Sequence, residues 1–171
     1  MSVSLSIRGL TAGYRRDPVM SRMSLAAIPR GRVTKLLGPN GCGKSTLLRA
    51  LAGLNRAQGE IWLDNQNINR LSLAERGEKV VYLPQSLPSG VHLQVLESVL
   101  VSARATGQQG ADVSPERILQ LLDQVGIASL ALRYMDELSG GQKQMVGLAQ
   151  SLVRNPSLLL LDEPLSALDL N

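Results

Sequence analysis

The sequence predicts an α/β fold: a parallel-sheet core, an antiparallel β part near the N-terminus and a helical stretch inserted before the last strand. Three observations carry this. The glycine-rich stretch Gly38-Pro39-Asn40-Gly41-Cys42-Gly43-Lys44-Ser45-Thr46 fits G-x-x-x-x-G-K-[ST] and lies between an apolar run and a helical repeat. Leu158 to Leu161 is apolar on both faces, as expected of a central parallel strand, and runs into Asp162-Glu163. From about Ser86 to Pro156 the strand-like alternation gives way to helical spacing.

The elements follow in chain order. Val3, Leu5 and Ile7 alternate with polar residues, as do Met23, Leu25 and Ala27, so both stretches read as half-buried strands. Arg32 to Leu37 is expected to form a buried strand, interrupted only by Lys35, whose stem must snorkel or whose charge must find a partner. Leu47, Leu48 and Leu51 then recur at helical spacing until Gly53 stops the helix. Gly59 to Asn65 reads as a strand entering a turn, and Lys79 to Leu83 as another strand, ended by Pro84-Gln85. Val95, Leu96, Val99, Leu100 and Ala103 form one helical stripe. Ser114-Pro115-Glu116 is a helix start, with a capping hydroxyl, proline at the first position and an acid in the first turn. That helix continues through Ile118, Leu121, Leu122 and Val125 to Gly126. A last helix starts near Ser139, is expected to bury Met145, Leu148, Ala149 and Leu152 on one face, and ends at Asn155-Pro156.

Composition narrows the classes of function. A length of 171 residues suits one domain, and with aromatics at 2% and no Phe its core must be aliphatic. The net charge of +4 comes from 18 basic residues scattered along the chain, which reads as solvated surface rather than a nucleic-acid footprint. Cys42 is the one cysteine, so no internal disulfide forms and a reducing compartment fits. It reads as a small filler in the glycine-rich loop, and the one histidine, His92, as a surface or packing residue. No stretch reaches the ~18 apolar residues of a membrane span, so membrane association is expected through a partner.

The chemistry concentrates at three places. Gly38, Gly41 and Gly43 carry no β-carbon, so the loop can turn its backbone N–H groups onto phosphate oxygens, and the following helix adds its positive end. Lys44 then reaches the β- and γ-phosphates, and Ser45 ligates a magnesium ion bridging them. Beyond the carboxyl end of the last strand, Asp162 suits holding magnesium through water and Glu163 suits polarising an attacking water. Leu138-Ser139-Gly140-Gly141-Gln142 leads into a helix with a hydroxyl and free N–H groups suited to an anion; taken alone it is equally an ordinary helix cap.

Together with Gln85 and Ser166-Ala167-Leu168-Asp169, these residues resemble the nucleotide-binding domain of an ABC transporter over nearly the whole chain. The resemblance implies a P-loop NTPase fold with a RecA-like core in one ABC ATPase domain, 1–171, expected to be incomplete at its C-terminus. Residues 1–85 and 157–171 would form the nucleotide-binding core, and 86–156 the helical subdomain with the signature. Val81 to Gln85 and the helical region after it look most like the ATPases of bacterial iron-siderophore, haem and vitamin B12 importers.

The same resemblance assigns roles. ATP would be bound by Tyr14, stacked on adenine, and by Gly38 to Thr46. Glu163, Lys44 and Gln85 would be catalytic, with Ser45, Gln85 and Asp162 serving Mg2+. Ser139, Gly140, Gly141 and Gln142 would contact the γ-phosphate held by a second ATPase subunit in a head-to-tail homodimer, and Asp169 would lie in the interface loop. Implied partners are transmembrane permease subunits and, indirectly, a solute-binding protein, at the cytoplasmic face of the bacterial inner membrane; nucleic acid is not among them. The family's switch histidine, one strand further on, has no counterpart before Asn171, and Lys143 and Met145 stand where arginines are frequent. Were 171 residues the whole polypeptide, weak or absent turnover is expected, which leaves a non-hydrolysing nucleotide-binding fragment as the alternative. DNA-repair and chromosome-type relatives carry long insertions between phosphate loop and signature, whereas here Lys44 and Ser139 flank a compact stretch. Adenylate-kinase-like and GTPase readings share the phosphate loop but leave Leu138 to Gln142 unexplained.

Overall fold

Strand alternation near the N-terminus becomes a four-stranded antiparallel sheet in the computed structural model, which describes residues 3–14, 17–85, 92–105 and 114–163. The chain divides into two compact units, 1–80 and 81–171. In the first, the sheet order is β2-β1-β3-β4, with β1 Val3–Tyr14, β2 Asp17–Pro29, β3 Ala57–Leu63 and β4 Gln66–Asn67. Leu5 and Ile7 are buried as the alternation requires, but the inward set then slips to Leu10 and Ala12. The slip lies at Gly9, at φ 59, where the register against β3 breaks between Arg8 and Thr11. Opposite, a β-carbon on Gly59 would sit 2.6 Å from the Gly9 carbonyl oxygen, so only glycine admits this approach. A second irregularity, between the pairs Leu5 with Ile28 and Ile7 with Leu25, leaves Ile28 half-buried and Ala27 exposed, contrary to a strict Met23, Leu25, Ala27 alternation. Asp64 and Asn65, both at positive φ, make the tight turn from β3 to β4.

The segment Arg32 to Leu37 departs from expectation. It is irregular, with Val33 fully exposed and Leu37 75% exposed. A strand persists only where its N–H and C=O groups find a ladder, and among the described residues neither sheet includes this segment. Lys35, too, is exposed rather than snorkelling within a strand. After it, helix α1 (Lys44–Ala52) packs against β1, burying Leu47 and Leu51, and Gly53 at φ 79 caps it.

Helix α2 (Leu73–Lys79) has no apolar stripe, which is why periodicity misses it; a capping box sets its start. Ser72 Oγ accepts from the Glu75 N–H at 3.2 Å, and Glu75 Oε2 accepts from the Ser72 N–H at 2.8 Å. Its buried residue is Arg76.

The second unit continues strand β5 (Val80–Leu83), paired with β6 (Leu158–Leu161), and holds helices α3 (Val95–Arg104), α4 (Pro115–Gln124) and α5 (Gly140–Leu152). Its aliphatic core gathers Val95 and Val99 of α3, Ile118 and Leu122 of α4, and Val146 and Ala149 of α5. The buried face of α5 differs from the expected stripe. Val146 is fully buried, Met145 and Leu148 are half-buried, and Leu152 is 38% exposed. Gly147 and the hydrogen-bonded Gln144 and Ser151 go inside, so the helix packs with small and polar residues where a leucine stripe is expected. In β6 only Leu160 is buried, since β5 is its single neighbour among the described residues.

Candidate nucleotide site

The phosphate-loop residues gather in the first unit. Gly41 and Gly43 stand at φ 81 and 97, left-handed backbone that a side chain would strain, and Gly43 is also the residue from which α1 begins. A β-carbon on Gly38 would lie 2.7 Å from the Cys42 sulfur, so the two ends of the loop close on each other. Lys44 folds back over this ring: its Nζ donates to the carbonyl oxygens of Gly38 at 2.8 Å and Pro39 at 3.0 Å. The amine is thus held across the loop, and residues 38–42, Asn40 among them, are exposed. Ser45 is half-buried and Thr46 buried in the first turn of α1.

Behind the loop, α1 is held at its other end by Arg76. The guanidinium Nε donates to the Leu51 carbonyl at 3.0 Å, and Nη2 donates to those of Ala50 and Leu51, each at 2.7 Å. These are carbonyls in the last turn of the helix, which carry its negative end. Burial pulls the Arg76 guanidinium down from its ordinary pKa, and the three bonds offset that penalty. Its side chain lies so close over Gly53 that a β-carbon there would approach Arg76 Cδ to 3.0 Å. Sequence periodicity does not reveal this clamp, because a basic residue in a short polar helix reads as solvated.

In the second unit, strands β5 and β6 bring four predicted or neighbouring residues together. Gln85, just beyond β5, donates through Nε2 to Glu163 Oε2 at 2.7 Å. Tyr82 donates its hydroxyl to Asp162 Oδ2 at 2.8 Å, and the Asp162 N–H donates to the Leu83 carbonyl at 3.0 Å. Asp162 is 6% exposed, whereas Glu163 is exposed and stands at φ 49. Left-handed backbone at a non-glycine residue stores about 1–3 kcal/mol and persists where surrounding structure holds it. Gln144 of α5 contributes, its Nε2 donating to the Glu163 carbonyl at 3.5 Å. Neither Tyr82 nor Gln144 is marked in the sequence, since each reads as one position of a strand or helix repeat.

The signature residues form a capping box at the start of α5. Ser139 Oγ accepts from the Gln142 N–H at 3.3 Å, and Gln142 Oε1 accepts from the Ser139 N–H at 3.0 Å. Ser139 and Gly140 are exposed and Gly141 is half-buried. Tyr14 is the last residue of β1. Asp169, with Ser166 to Leu168, lies outside the described residues.

His92 is exposed, stacked on Tyr134 with ring centroids 4.2 Å apart, and its Nδ1 lies 2.9 Å from Asp136 Oδ2. The hydrogen bond from His92 holds the Asp136 carboxyl below its usual range. It is a surface pair, apart from the acidic residues Asp162 and Glu163.

The ABC transporter family's sequence profile matches residues 21–166. Among curated proteins, the chain is similar to the Fe(3+) ions import ATP-binding protein FbpC 1 of Pectobacterium atrosepticum, 36% identical over 168 residues, covering 98% of this chain and 47% of that protein. It is similar also to the spermidine/putrescine import ATP-binding protein PotA of Legionella pneumophila, 38% identical over 166 residues, covering 96% of this chain and 44% of that one. The chain thus spans about half the length of the curated relatives it matches. Among solved structures, an inward-facing putative metal-chelate type ABC transporter aligns over 99% of this chain and 63% of its own, with a TM-score of 0.78 and 32% identity. A putative ABC transporter ATP-binding protein from Pyrococcus furiosus aligns over 98% and 78%, with a TM-score of 0.83 and 30% identity. With its phosphate loop, its capped signature helix and the Asp162-Glu163 strand end all inside or at the matched stretch, this chain belongs to the ABC transporter family.

Proposed function

We propose that this chain binds and hydrolyses ATP as the energising subunit of an importer. The observation that carries the reading is the phosphate loop itself: Gly41 and Gly43 at positive φ leading into α1, with the Lys44 amine poised over the loop's carbonyls. On nucleotide binding, Lys44 exchanges these carbonyls for phosphate oxygens, and the loop N–H groups with the α1 dipole take up the remaining negative charge. Glu163 accepts a proton from the attacking water, and the Gln85 amide orients its carboxylate. Tyr14 supports the adenine, and Ser139 to Gln142 complete the γ-phosphate site of a second copy, with Asp169 in the interface. The domain roles follow: 1–85 and 157–171 as nucleotide-binding core, 86–156 as helical subdomain.

Each by its own chemistry, the Ser45 hydroxyl, the Asp162 carboxylate and the Gln85 amide suit Mg2+, which favours hard oxygen ligands and keeps several waters. Bound with ATP, that ion would neutralise charge on the β- and γ-phosphates. Ser45 would hold it through its hydroxyl, and the Asp162 carboxylate would hold it through water.

Among the described residues no helix is long and apolar enough to cross a membrane. Placement at the cytoplasmic face of the inner membrane, on permease subunits fed by a solute-binding protein, is therefore proposed from the importer relatives. For the cargo we propose iron, as ion or chelate, supported by relatives named for Fe(3+) ions and a structural neighbour titled metal-chelate type. Polyamine is the second reading, since a relative named for spermidine and putrescine matches at 38% against 36%. Nothing in those names favours a siderophore in particular.

The test is Mg2+-dependent ATP hydrolysis followed against protein concentration, with Lys44→Ala and Glu163→Gln as controls. Turnover that rises more steeply than concentration and disappears in both variants supports a hydrolysing dimer. ATP binding without turnover selects a nucleotide-binding chain that does not hydrolyse.

A further inference from the structure

The hydroxyl of Tyr82 plays no part in the roles above. It lies 2.8 Å from Oδ2 of Asp162, a residue only 6% exposed, and Asp162 is tied by its N–H to the carbonyl of Leu83, the next residue of β5. Strand β5 therefore grips Asp162 at two points, one on the backbone and one on the carboxylate. The terminal torsion of an aspartate is broad and nearly two-fold, so a carboxylate held only by its backbone samples many rotations. A bond from a half-buried ring on strand β5 selects one.

We propose that Tyr82 is a positioning residue for the magnesium-holding carboxylate, fixing the rotation in which Asp162 meets the ion. This rests on the reading of Asp162 as a metal-holding residue. Two effects of losing the hydroxyl oppose each other. The carboxylate becomes a stronger electron donor, which favours metal binding, and it loses its fixed rotation, which disfavours it. Loss of an outer partner of a metal-holding group costs about 10- to 100-fold in metal affinity, so orientation outweighs donor strength.

The experiment titrates the full chain with Mn2+ at saturating ATP, following free and bound ion by electron paramagnetic resonance. Wild type, Tyr82→Phe and Asp162→Asn are compared, and ATP affinity is measured separately in chelator. Phe keeps the ring and removes only the hydroxyl. The expected result for Tyr82→Phe is Mn2+ affinity lower by about tenfold or more, a changed bound-Mn2+ spectrum, and ATP affinity in chelator equal to wild type. Wild-type Mn2+ affinity in Tyr82→Phe, while Asp162→Asn binds the ion weakly, overturns the assignment of Tyr82 alone. Equal losses of Mn2+ and chelator-ATP affinity in Tyr82→Phe also overturn it, as the effect of a general disturbance of the fold. Unchanged Mn2+ affinity in Asp162→Asn removes the metal role of Asp162 and the proposal with it.

Discussion

Lys44 and Glu163 are held in different ways, and that difference sets what their removal should do. The Lys44 amine donates to two loop carbonyls. On the proposed reading, Lys44→Ala takes a charge from the transferring phosphoryl group. Its kcat/KM for ATP should fall by about 10²- to 10³-fold, with weakened nucleotide binding measured by calorimetry. Glu163 is exposed, strained at φ 49 and bonded to Gln85. Glu163→Gln keeps the shape but removes the proposed proton acceptor, so on that reading kcat should fall by about 10²- to 10⁴-fold while ATP still binds. Equal loss of binding in both variants would contradict this division of labour.

Helix α1 is gripped at both ends: the phosphate loop precedes it and Arg76 of α2 closes it. Arg76→Met would leave the Ala50 and Leu51 carbonyls buried without that donor, a loss of about 2–3 kcal/mol in urea unfolding. A cost near zero would mean that water replaces the guanidinium. Helix α2, which carries the clamp, depends on its own cap. Hydrogen bonds from the Ser72 side chain and then its backbone hold the Glu75 carboxyl below its ordinary value of 4.5. A lowered carboxyl pKa contributes stability that is present above the unfolded value and lost as pH falls through the folded one. The stability gap between wild type and Glu75→Gln should therefore be steady near neutrality and close as pH falls below about 4.5. A gap that widens in acid would contradict the capping role.

The whole chain gathers the candidate residues into two compact units, the phosphate loop in one and Gln85, Asp162, Glu163 and the signature in the other. The chain spans about half the length of its curated relatives, so assembly is tested directly. If two copies share their nucleotides, Glu163→Gln with ATP should sediment as a dimer that reverts to monomer when ATP is removed, measured by analytical ultracentrifugation. Wild type with ADP should stay monomeric. A Glu163→Gln chain that remains monomeric at saturating ATP would argue against the sandwich.

Local chemistry made much of this protein legible in its residues alone. The glycine spacing of the phosphate loop, the Ser114-Pro115-Glu116 helix start, the Gly53 stop and the α3 stripe each act within a few residues, so spacing is enough to read them. Where the structure departs from what the residues alone suggest, distant partners decide. Arg32 to Leu37 has strand composition but no ladder among the described residues, and β6 is apolar throughout yet buries only Leu160. On α5, hydrogen bonds allow Gln144 and Ser151 to go inside while Leu152 stays out. The same holds for Arg76 on the α1 carbonyls and Tyr82 on Asp162, pairs that are 25 and 80 residues apart. Burial and hydrogen bonding between residues so far apart are settled by which surfaces the fold brings together, and no periodicity encodes that.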